Sequence, residues 1–398
     1  MKRYFASVFV ALVLVTPVSA SQSDAALRDS LQRVIDQYLA ARAKPEHVSA
    51  ISLSISLRGQ KENVNLVAGR TEYGGGGAPI TADSLWQIGS NTKAFTAATI
   101  LQLEAEGKLT IDQTVGKWLP QYSAWKNVTI RRLLNMTSGI PTYDDTQQML
   151  GDYAKNPTHD FTIPELIAYV YPTNPKAPKP TTGYSYSNTN YLLAELIIEK
   201  AADNTYRNEL QGRFLRADLG LEDTHYRSFS YPASVLERMP AGYFFNHEPD
   251  DAGLAPLLGK NITPYSVSWM QGAGGIVSTS EDLTRWVRAL YAGSALEPKQ
   301  RAELMTLVSI KTSKPLAKTS LQDPRGFGLG VAQMTTPETG TVWFYEGESL
   351  GFRMVHVYFP RQDVVIAFGL NSQPAPKADQ VGKLVVSLYN TLHAAGRI

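Results

Sequence analysis

The stretch Ser90-Asn91-Thr92-Lys93 opens a helical run that continues to Leu103. Ser90 and Lys93 stand three residues apart, so a helix places them on one face, about one turn from each other. The helix N-terminus adds positive partial charge where a serine alkoxide would form. A lysine held against apolar packing loses its proton near neutral pH. The spacing therefore predicts a serine nucleophile that Lys93 activates.

The S-x-x-K pattern has only two fixed letters and recurs in this chain. A second copy, Ser123-Ala124-Trp125-Lys126, follows Pro120 in a stretch without a sustained helical period. A surface serine and lysine explain such a copy equally well. The prediction for Ser90 therefore depends on two further motifs.

The second motif is Tyr186-Ser187-Asn188. In extended or turn geometry, Tyr186 and Asn188 point the same way. A phenol beside a lysine ammonium ionises more readily and serves as a general base, while the Asn188 amide holds Lys93 and a substrate carbonyl. The alternative is that Tyr186 is a loop aromatic residue packed at a lobe boundary.

The third motif runs from Tyr345 to Arg353 and begins at the end of a predicted strand. Gly347 would let a substrate lie flat against that strand, because glycine has no Cβ. The backbone N–H groups of Glu348 and Ser90 are the candidate donors to an oxyanion.

With the three motifs in this order, the chain resembles the serine β-lactamase and penicillin-binding-protein superfamily. The nearest likeness is to its class C-like branch of D-stereospecific peptidases, carboxylesterases and class C β-lactamases, over about residues 51–370. The resemblance implies that Ser90 is acylated, that Lys93 tunes it and that Tyr186 shuttles the proton. It also implies that Asn188 orients Lys93 and the substrate amide, and that Gly347 marks the oxyanion strand.

The third motif departs from this branch, which usually has Lys-Thr-Gly or His-x-Gly there. The triplet here is Tyr345-Glu346-Gly347, so the cation that attracts the carboxylate of penicillins and D-alanyl-D-alanine is missing. Arg353 is the candidate replacement, with a surface strand residue as the alternative. We therefore expect an ester or peptide-like amide that is neutral, or carries an amine, near the scissile bond. A β-lactamase or D-Ala-D-Ala carboxypeptidase is the alternative.

Composition limits the other functions. The 398 residues are 43% hydrophobic and 19% charged, as in globular proteins, and the net charge of +2 comes without a basic tract. Nucleic acid is therefore not an expected partner; a small-molecule or peptide substrate is, and the oligomeric state stays open. The chain has no cysteine, and the segment from His247 to Asp251 lacks the spacing of a zinc helix. We expect no metal and no cofactor.

Residues 1–20 are typical of a signal peptide. Lys2 and Arg3 precede an apolar stretch at 5–15, and small residues at 18–20 suit a cleavage site. We expect an exported protein, periplasmic or secreted, without stable membrane insertion after cleavage. An uncleaved anchor is the alternative.

Hydrophobic periodicity predicts an α+β fold. The predicted helices and strands are a helix at 25–43, a strand at 51–57 with one buried face and its hairpin partner at 64–69, helices at 191–202 and 282–291, strands at 328–331, 341–345, 352–359 and 364–370, and a helix at 378–393. We expect a β-lactamase-like fold in which an antiparallel sheet, flanked by the terminal helices, carries an inserted helical lobe. The predicted domain spans 21–398, with an α/β lobe at 21–89 and 326–398, a mostly helical lobe at 90–325, and the active site in the cleft between them.

Two other interpretations remain open. Gly347-Glu348-Ser349-Leu350-Gly351 fits the nucleophile elbow of α/β-hydrolases, with Asp363 and His393 downstream in the required order. That elbow needs a helix after the serine, whereas the following residues alternate like a strand. The second is a non-catalytic envelope binding protein on the same scaffold. An acyltransferase is a further variant of the enzyme.

Overall fold

A computed structural model describes residues 18–215 and 219–398, so the first 17 residues of the predicted signal peptide lie outside the described residues. The helices are α1 (Val18–Glu46), α2 (Thr92–Ala105), α3 (Val115–Trp118), α4 (Ile130–Leu134), α5 (Gln147–Lys155), α6 (Ile163–Ala168), α7 (Thr189–Ala202), α8 (Tyr206–Leu210), α9 (Ala233–Leu236), α10 (Gln271–Gly274), α11 (Ser280–Tyr291), α12 (Pro298–Leu304) and α13 (Val381–Ala394). In the described ranges no helix is both long and apolar enough to cross a membrane.

The strands are distributed along most of the chain. They are β1 (Ala50–Ser56), β2 (Val64–Gly69), β3 (Trp86–Gln87), β4 (His225–Tyr226), β5 (Tyr243–Phe245), β6 (Ile276–Ser278), β7 (Leu307–Ser309), β8 (Pro315–Leu316), β9 (Arg325–Phe327), β10 (Ala332–Thr336), β11 (Gly340–Glu348), β12 (Arg353–Phe359), β13 (Val364–Leu370) and β14 (Ser372–Pro374).

One antiparallel sheet of nine strands organises the fold. Its order is β2-β1-β13-β12-β11-β10-β9-β7-β8, so the N-terminal hairpin pairs with the C-terminal strands, with Ile51 opposite Leu370. Two small sheets, β3-β6-β4 and β14-β5, lie outside it. Strands from the two ends of the chain therefore pair within one sheet, as the α+β prediction requires.

Strand β1 is buried on both faces, so the prediction of one buried face is wrong. Ile51, Leu53 and Ile55 pack in the core cluster that also contains apolar side chains of α1 and α13. The intervening serines face α11, where Ser52 Oγ lies 2.7 Å from Ser280 Oγ. Hydroxyl groups can be buried there because a polar partner is provided. The alternation of the sequence thus separates an apolar layer from a hydrogen-bonded one.

The layers agree with the predicted architecture. The terminal helices α1 and α13 cover one face of the sheet, and α11 with the helical lobe covers the other. Two details of the prediction are wrong. The sheet already gains β7 and β8 at 307–316, inside the range assigned to the helical lobe, and residues 328–331 form the connection between β9 and β10.

Candidate active site

Ser90 lies in a short 3₁₀ turn, Gly89–Asn91, that leads directly into α2. The Nζ atom of Lys93 lies 2.8 Å from Ser90 Oγ and 2.8 Å from the carbonyl oxygen of Ala273. Lys93 has no exposed surface. The predicted spacing therefore does bring the lysine amine into contact with the serine hydroxyl.

Burial changes the proton affinity of Lys93. Removal from water disfavours the ammonium form and lowers the pKa of Lys93 to about 7, although the carboxylate of Asp144 raises it in part. Near neutral pH a large fraction of the side chain is therefore a neutral amine. Such an amine can accept the Ser90 hydroxyl proton.

Tyr186 approaches the same serine from the other side. Its hydroxyl donates to Ser90 Oγ at 2.7 Å, and Lys93 Nζ lies 4.9 Å from the centre of its ring. Although 37% of Tyr186 is exposed, desolvation of its hydroxyl raises the pKa of the phenol above its ordinary value. The expectation that Tyr186 ionises more readily beside Lys93 is therefore wrong. Tyr186 is a neutral donor in the resting site.

Tyr345 is the first residue of the third motif, where the resemblance implied a cation that this sequence lacks. Its hydroxyl lies 3.4 Å from the hydroxyl of Tyr186, and its ring packs against Phe327 and His356. Burial raises the pKa of Tyr345 well above its ordinary value. The third motif therefore places a neutral phenol, and no positive charge, at this position.

Gly347 has a different role from the one predicted. A Cβ atom on Gly347 would lie 2.0 Å from the carbonyl oxygen of Ile88, and one on Gly89 would lie 2.3 Å from that of Glu348. Gly89 also has φ of +50°, which favours glycine. The two glycines let β11 pack directly on the Ser90 turn. The backbone that Gly347 accommodates is therefore that of the protein itself.

Among the described residues no hydrogen bond joins Asn188 to Lys93, so the predicted role of Asn188 in orienting Lys93 is corrected. Its Nδ2 atom donates to Asp144 Oδ2 at 2.5 Å, and its Oδ1 atom is buried without a hydrogen-bond partner. The carboxylate of Asp144 can only accept, which fixes the amide orientation. Asn188 Oδ1 is thus an acceptor available to an N–H group of a substrate.

Arg353 is also corrected, because it does not reach the cavity beside Ser90. It is 1% exposed, and its guanidinium pairs with Glu46 and Asp379 at 2.8 Å each. Its Nε atom donates to the carbonyl oxygen of Ser372. Because these donors are engaged inside the protein, Arg353 does not replace the missing cation. Its burial also shows that it is not a surface strand residue.

Two buried polar residues that the sequence analysis missed support the site. Asn91 donates from Nδ2 to the carbonyl oxygens of Ile88 and Met354, and its Oδ1 atom lies 2.7 Å from Nδ1 of His356. Burial lowers the pKa of His356 to about 3, so that ring is neutral. Asn91 thereby fastens the Ser90 turn to β12. Its place inside the S-x-x-K motif was the only available signal.

The second missed residue is Glu195, which lies behind Lys93. Glu195 accepts a hydrogen bond from the Gly272 N–H at 2.6 Å and shares another with the Tyr226 hydroxyl. Burial raises the pKa of Glu195 to about 8. These bonds hold Gly272 in place. The carbonyl of the next residue, Ala273, accepts the hydrogen bond from Lys93.

Ser90 opens into a cavity of about 560 Å³ with a mainly aromatic and aliphatic wall. The predicted site residues that line it are Ser90, Tyr186, Asn188, Tyr345 and Glu348, and its charged side chains are Asp144, Asp145, Glu346, Glu348 and Arg325. Burial and the carboxylates of Asp379 and Glu348 raise the pKa of Glu346 well above its usual range. The cavity thus has more acidic than basic side chains.

The geometry rejects the nucleophile elbow. Ser349 follows β11 and precedes β12, so it lies between two paired strands and no helix follows it. Asp363 pairs with Arg288, and the ring of His393 stacks on Tyr389. The triad order in the sequence therefore corresponds to no catalytic arrangement.

Comparisons with known proteins agree with this geometry. The family model described as Beta-lactamase matches residues 33–390. Penicillin-binding protein 4* of Bacillus subtilis (strain 168) is 26% identical over 284 residues, which cover 71% of this chain and 59% of that protein. The chain thus spans little more than half the length of that relative.

Solved structures share the fold at lower identity. The D-amino acid amidase of Ochrobactrum anthropi SV3, complexed with L-phenylalanine, superposes with a TM-score of 0.77 at 23% identity, covering 92% of this chain and 99% of that one. The D-alanine carboxypeptidase AmpC of Burkholderia cenocepacia gives 0.66 at 19% identity, covering 93% and 99%. The predicted β-lactamase-like fold is confirmed, and the chain belongs to the beta-lactamase family.

Proposed function

We propose that the protein is an exported serine hydrolase that cleaves an ester or peptide-like amide through an acyl-enzyme on Ser90. The observation that carries this proposal is the contact of Ser90 Oγ with Lys93 Nζ at 2.8 Å and with the Tyr186 hydroxyl at 2.7 Å, at the edge of a substrate-sized cavity. A nucleophile with an adjacent base and an adjacent proton donor is the arrangement that acyl transfer requires.

The proton path follows from the two proton affinities. Neutral Lys93 takes the Ser90 proton as Oγ bonds to the substrate carbonyl carbon, and its own ammonium is stabilised by the Ala273 carbonyl. Tyr186 stays protonated and can donate to the leaving group when the carbonyl–leaving group bond breaks, after which Lys93 returns a proton to it. Water then attacks the acyl-enzyme by the reverse route.

The oxyanion donors in this proposal are the backbone N–H groups of Ser90 and Glu348. Gly89 and Gly347 support it, because their missing side chains allow β11 to lie against the turn that carries Ser90. Donors built into the backbone are preorganised and stabilise charge as it develops.

Acceptor groups around the cavity favour a substrate that carries an amine. Asn188 Oδ1 is buried without a partner, Asp144 lies beside it, and acidic side chains outnumber basic ones in the lining. A penicillin carboxylate would meet repulsion there. The D-amino acid amidase with the same fold acts, by its name, on amides of this kind, so D-amino acid amides belong among the test substrates.

Intact-mass spectrometry with a fluorophosphonate tests the proposal. The wild-type protein should gain one adduct and hydrolyse p-nitrophenyl esters or amino-acid amides faster than nitrocefin, whereas Ser90→Ala should do neither. Ser349→Ala is the matched control and should react like the wild type.

Other results would redirect the proposal. No adduct and no turnover would favour a non-catalytic binding protein, and faster turnover of nitrocefin would overturn the substrate preference. A product transferred to an added amine instead of water would indicate an acyltransferase. Mass analysis of the protein released from its host would show whether residues 1–20 are removed on export.

A further inference from the structure

Glu195 is a buried ionisable group that the proposed proton path does not use. It lies on α7 and is 4% exposed. One of its carboxyl oxygens, Oε2, accepts a hydrogen bond from the Gly272 N–H at 2.6 Å. The next residue is Ala273, whose carbonyl oxygen lies 2.8 Å from Lys93 Nζ. Glu195 is therefore connected to the proposed base through two adjacent residues of α10.

Helix α10 begins in a strained backbone conformation. Its first residue, Gln271, has φ of +41°, in the left-handed region that residues other than glycine seldom adopt. Such a conformation persists only where surrounding contacts hold it. Gln271 Nε2 donates to the carbonyl oxygen of Phe161 at 3.1 Å, and the Gly272 N–H donates to Glu195. The position of the Ala273 carbonyl therefore depends on the contacts that hold the start of α10.

The hydroxyl of Tyr226 lies between two oxygen atoms that need its single proton. It is 2.8 Å from Glu195 Oε1 and 3.2 Å from Gln271 Oε1. The amide orientation of Gln271 is fixed, because the Phe161 carbonyl that faces Nε2 can only accept. If Glu195 were ionised, the phenol proton could be given to only one of the two oxygens. If Glu195 is protonated, Oε1–H donates to Tyr226, Tyr226 donates to Gln271, and all three groups are paired.

The charges around Glu195 also favour its acid form. Among the described residues, the ionisable groups that act on its charge are Glu199 on α7, Tyr206 on α8, Tyr226 on β4 and Tyr143 before α5. None of these groups is a cation, and a carboxylate buried without a cationic partner is strongly disfavoured. Burial accordingly raises the pKa of Glu195 to about 8.

We propose that Glu195 is a positioning residue that works as a carboxylic acid. Its Oε1–H donates to Tyr226 and its Oε2 accepts from Gly272, so two hydrogen bonds hold the start of α10. These bonds place no negative charge behind Lys93, where a carboxylate would favour the ammonium form and weaken the base. The inference rests on the proposed hydrolase function, because it takes Lys93 as the base.

Two substitutions separate the acid from the carboxylate. Glu195→Gln can keep both bonds, since its Oε1 accepts from Gly272 and its Nε2 donates to Tyr226, so kcat should stay within about threefold of the wild type. Glu195→Leu removes both bonds and lets the Ala273 carbonyl move. We expect kcat to fall at least about tenfold while KM changes less than about twofold.

The pH profile distinguishes positioning of Lys93 from general destabilisation. In Glu195→Leu the Lys93 ammonium loses its bond to the Ala273 carbonyl, which stabilises the charged form. The midpoint of the rise in kcat/KM should therefore move below about pH 7. A variant that is merely less stable would lose folded protein without a change of midpoint. Circular dichroism would establish that the variant is folded.

Glu199→Gln and Glu199→Leu are the matched controls. Glu199 lies one turn further along α7 and accepts from the Tyr206 backbone N–H at 3.1 Å. Both controls should keep the kcat and the midpoint of the wild type. A wild-type kcat and midpoint in Glu195→Leu would overturn the positioning role. A loss in Glu195→Gln as large as that in Glu195→Leu would show that the negative charge is needed, and would overturn the acid.

Infrared difference spectra measure the Glu195 proton itself and need no turnover. At about pH 6 the wild type should show a carboxylic-acid C=O band that is missing from Glu195→Gln. This band should disappear as the pH rises through about 8. If the band is absent, Glu195 is not the acid. If the band is present but no substrate is turned over, the proposed hydrolase fails while the acid form holds, so the two failures are distinguishable.

Discussion

Lys93 and Tyr186 touch the same serine hydroxyl, and desolvation favours the neutral form of both. For a lysine this creates a base, because the pKa of Lys93 falls to about 7. For a tyrosine it creates a donor, because the pKa of Tyr186 rises. Lys93 is therefore the base and Tyr186 the proton donor, because the same desolvation disfavours both a positively charged ammonium and a negatively charged phenolate.

The pH dependence of kcat/KM should follow Lys93. Only the neutral amine accepts the Ser90 proton, so with an uncharged p-nitrophenyl ester we expect kcat/KM to rise about tenfold per pH unit below about 7 and to level off above it. Steady-state kinetics over a range of pH would check this, because kcat/KM reports the pKa values of the free enzyme. A profile that is flat through this range would contradict Lys93 as the base.

Lys93→Met should lose activity and gain stability. The pKa of Lys93 is lower in the folded protein than the 10.5 of an exposed lysine, so the folded state binds this proton less tightly than the unfolded state. The destabilisation of the folded state by buried Lys93 is therefore complete below about pH 7, and it disappears above about pH 10.5. Replacement by methionine should therefore raise the free energy of unfolding more at pH 6 than at pH 9, while turnover falls at least about 10³-fold.

Urea unfolding at the two pH values would measure this effect. Lys155→Met is the control, because the side chain of Lys155 is 80% exposed and its replacement should leave stability nearly unchanged. If Lys93→Met were less stable than the wild type at both pH values, the cost assigned to the buried amine would be wrong.

The contact between β11 and the Ser90 turn is the decisive feature at the level of elements. Two glycines, Gly89 and Gly347, allow it, and Asn91 secures the turn to β12 from below. A displacement of the turn would move Ser90 Oγ away from Lys93 and from the proposed oxyanion donors.

Gly347→Ala should therefore impair catalysis more than folding. Its Cβ would lie 2.0 Å from the Ile88 carbonyl oxygen, so the turn must shift, and a misplacement of about 1 Å costs about 10²-fold in rate. We expect kcat to fall by about that factor while circular dichroism stays native. Gly382→Ala, a helical position with open space around it, should leave kcat unchanged and stabilise the protein slightly. Activity of Gly347→Ala within twofold of the wild type would refute the argument.

Across the whole molecule, Arg353 links parts of the chain that are distant in sequence. It lies on β12 and pairs with Glu46 at the end of α1 and with Asp379 before α13. Tyr38 adds a hydrogen bond to Glu46. A buried charge pair can cost as much as it contributes, but removal of one partner leaves the other charge buried and unpaired.

Arg353→Met should accordingly reduce the free energy of unfolding by about 3–5 kcal/mol. As a structural residue it should change KM for neutral and for carboxylate-bearing substrates by the same factor. Arg131→Met, which breaks the exposed pair with Asp112, should cost only about 0–1 kcal/mol. Unchanged stability with a KM increase for carboxylate substrates alone would restore the role in substrate binding that the sequence suggested.

Local patterns in the sequence predicted the features that depend on neighbours along the chain. The strand at β1, the helices α7 and α11, and the one-turn spacing of Ser90 and Lys93 are features of this kind. The fold class and the family likeness followed from three such motifs in order.

Features that depend on contacts between distant segments needed the tertiary structure. Whether Arg353 points to the cavity or to Glu46, and whether Gly347 faces a substrate or Ile88, depends on what the fold places opposite each residue. The meeting of Asp379 with Glu346 and Glu348 is of the same kind. The sequence by itself therefore determined which chemical groups the protein has and their local spacing. Only the folded chain decided their partners and their burial, because desolvation and opposing charges act through space and set each group's proton affinity and role.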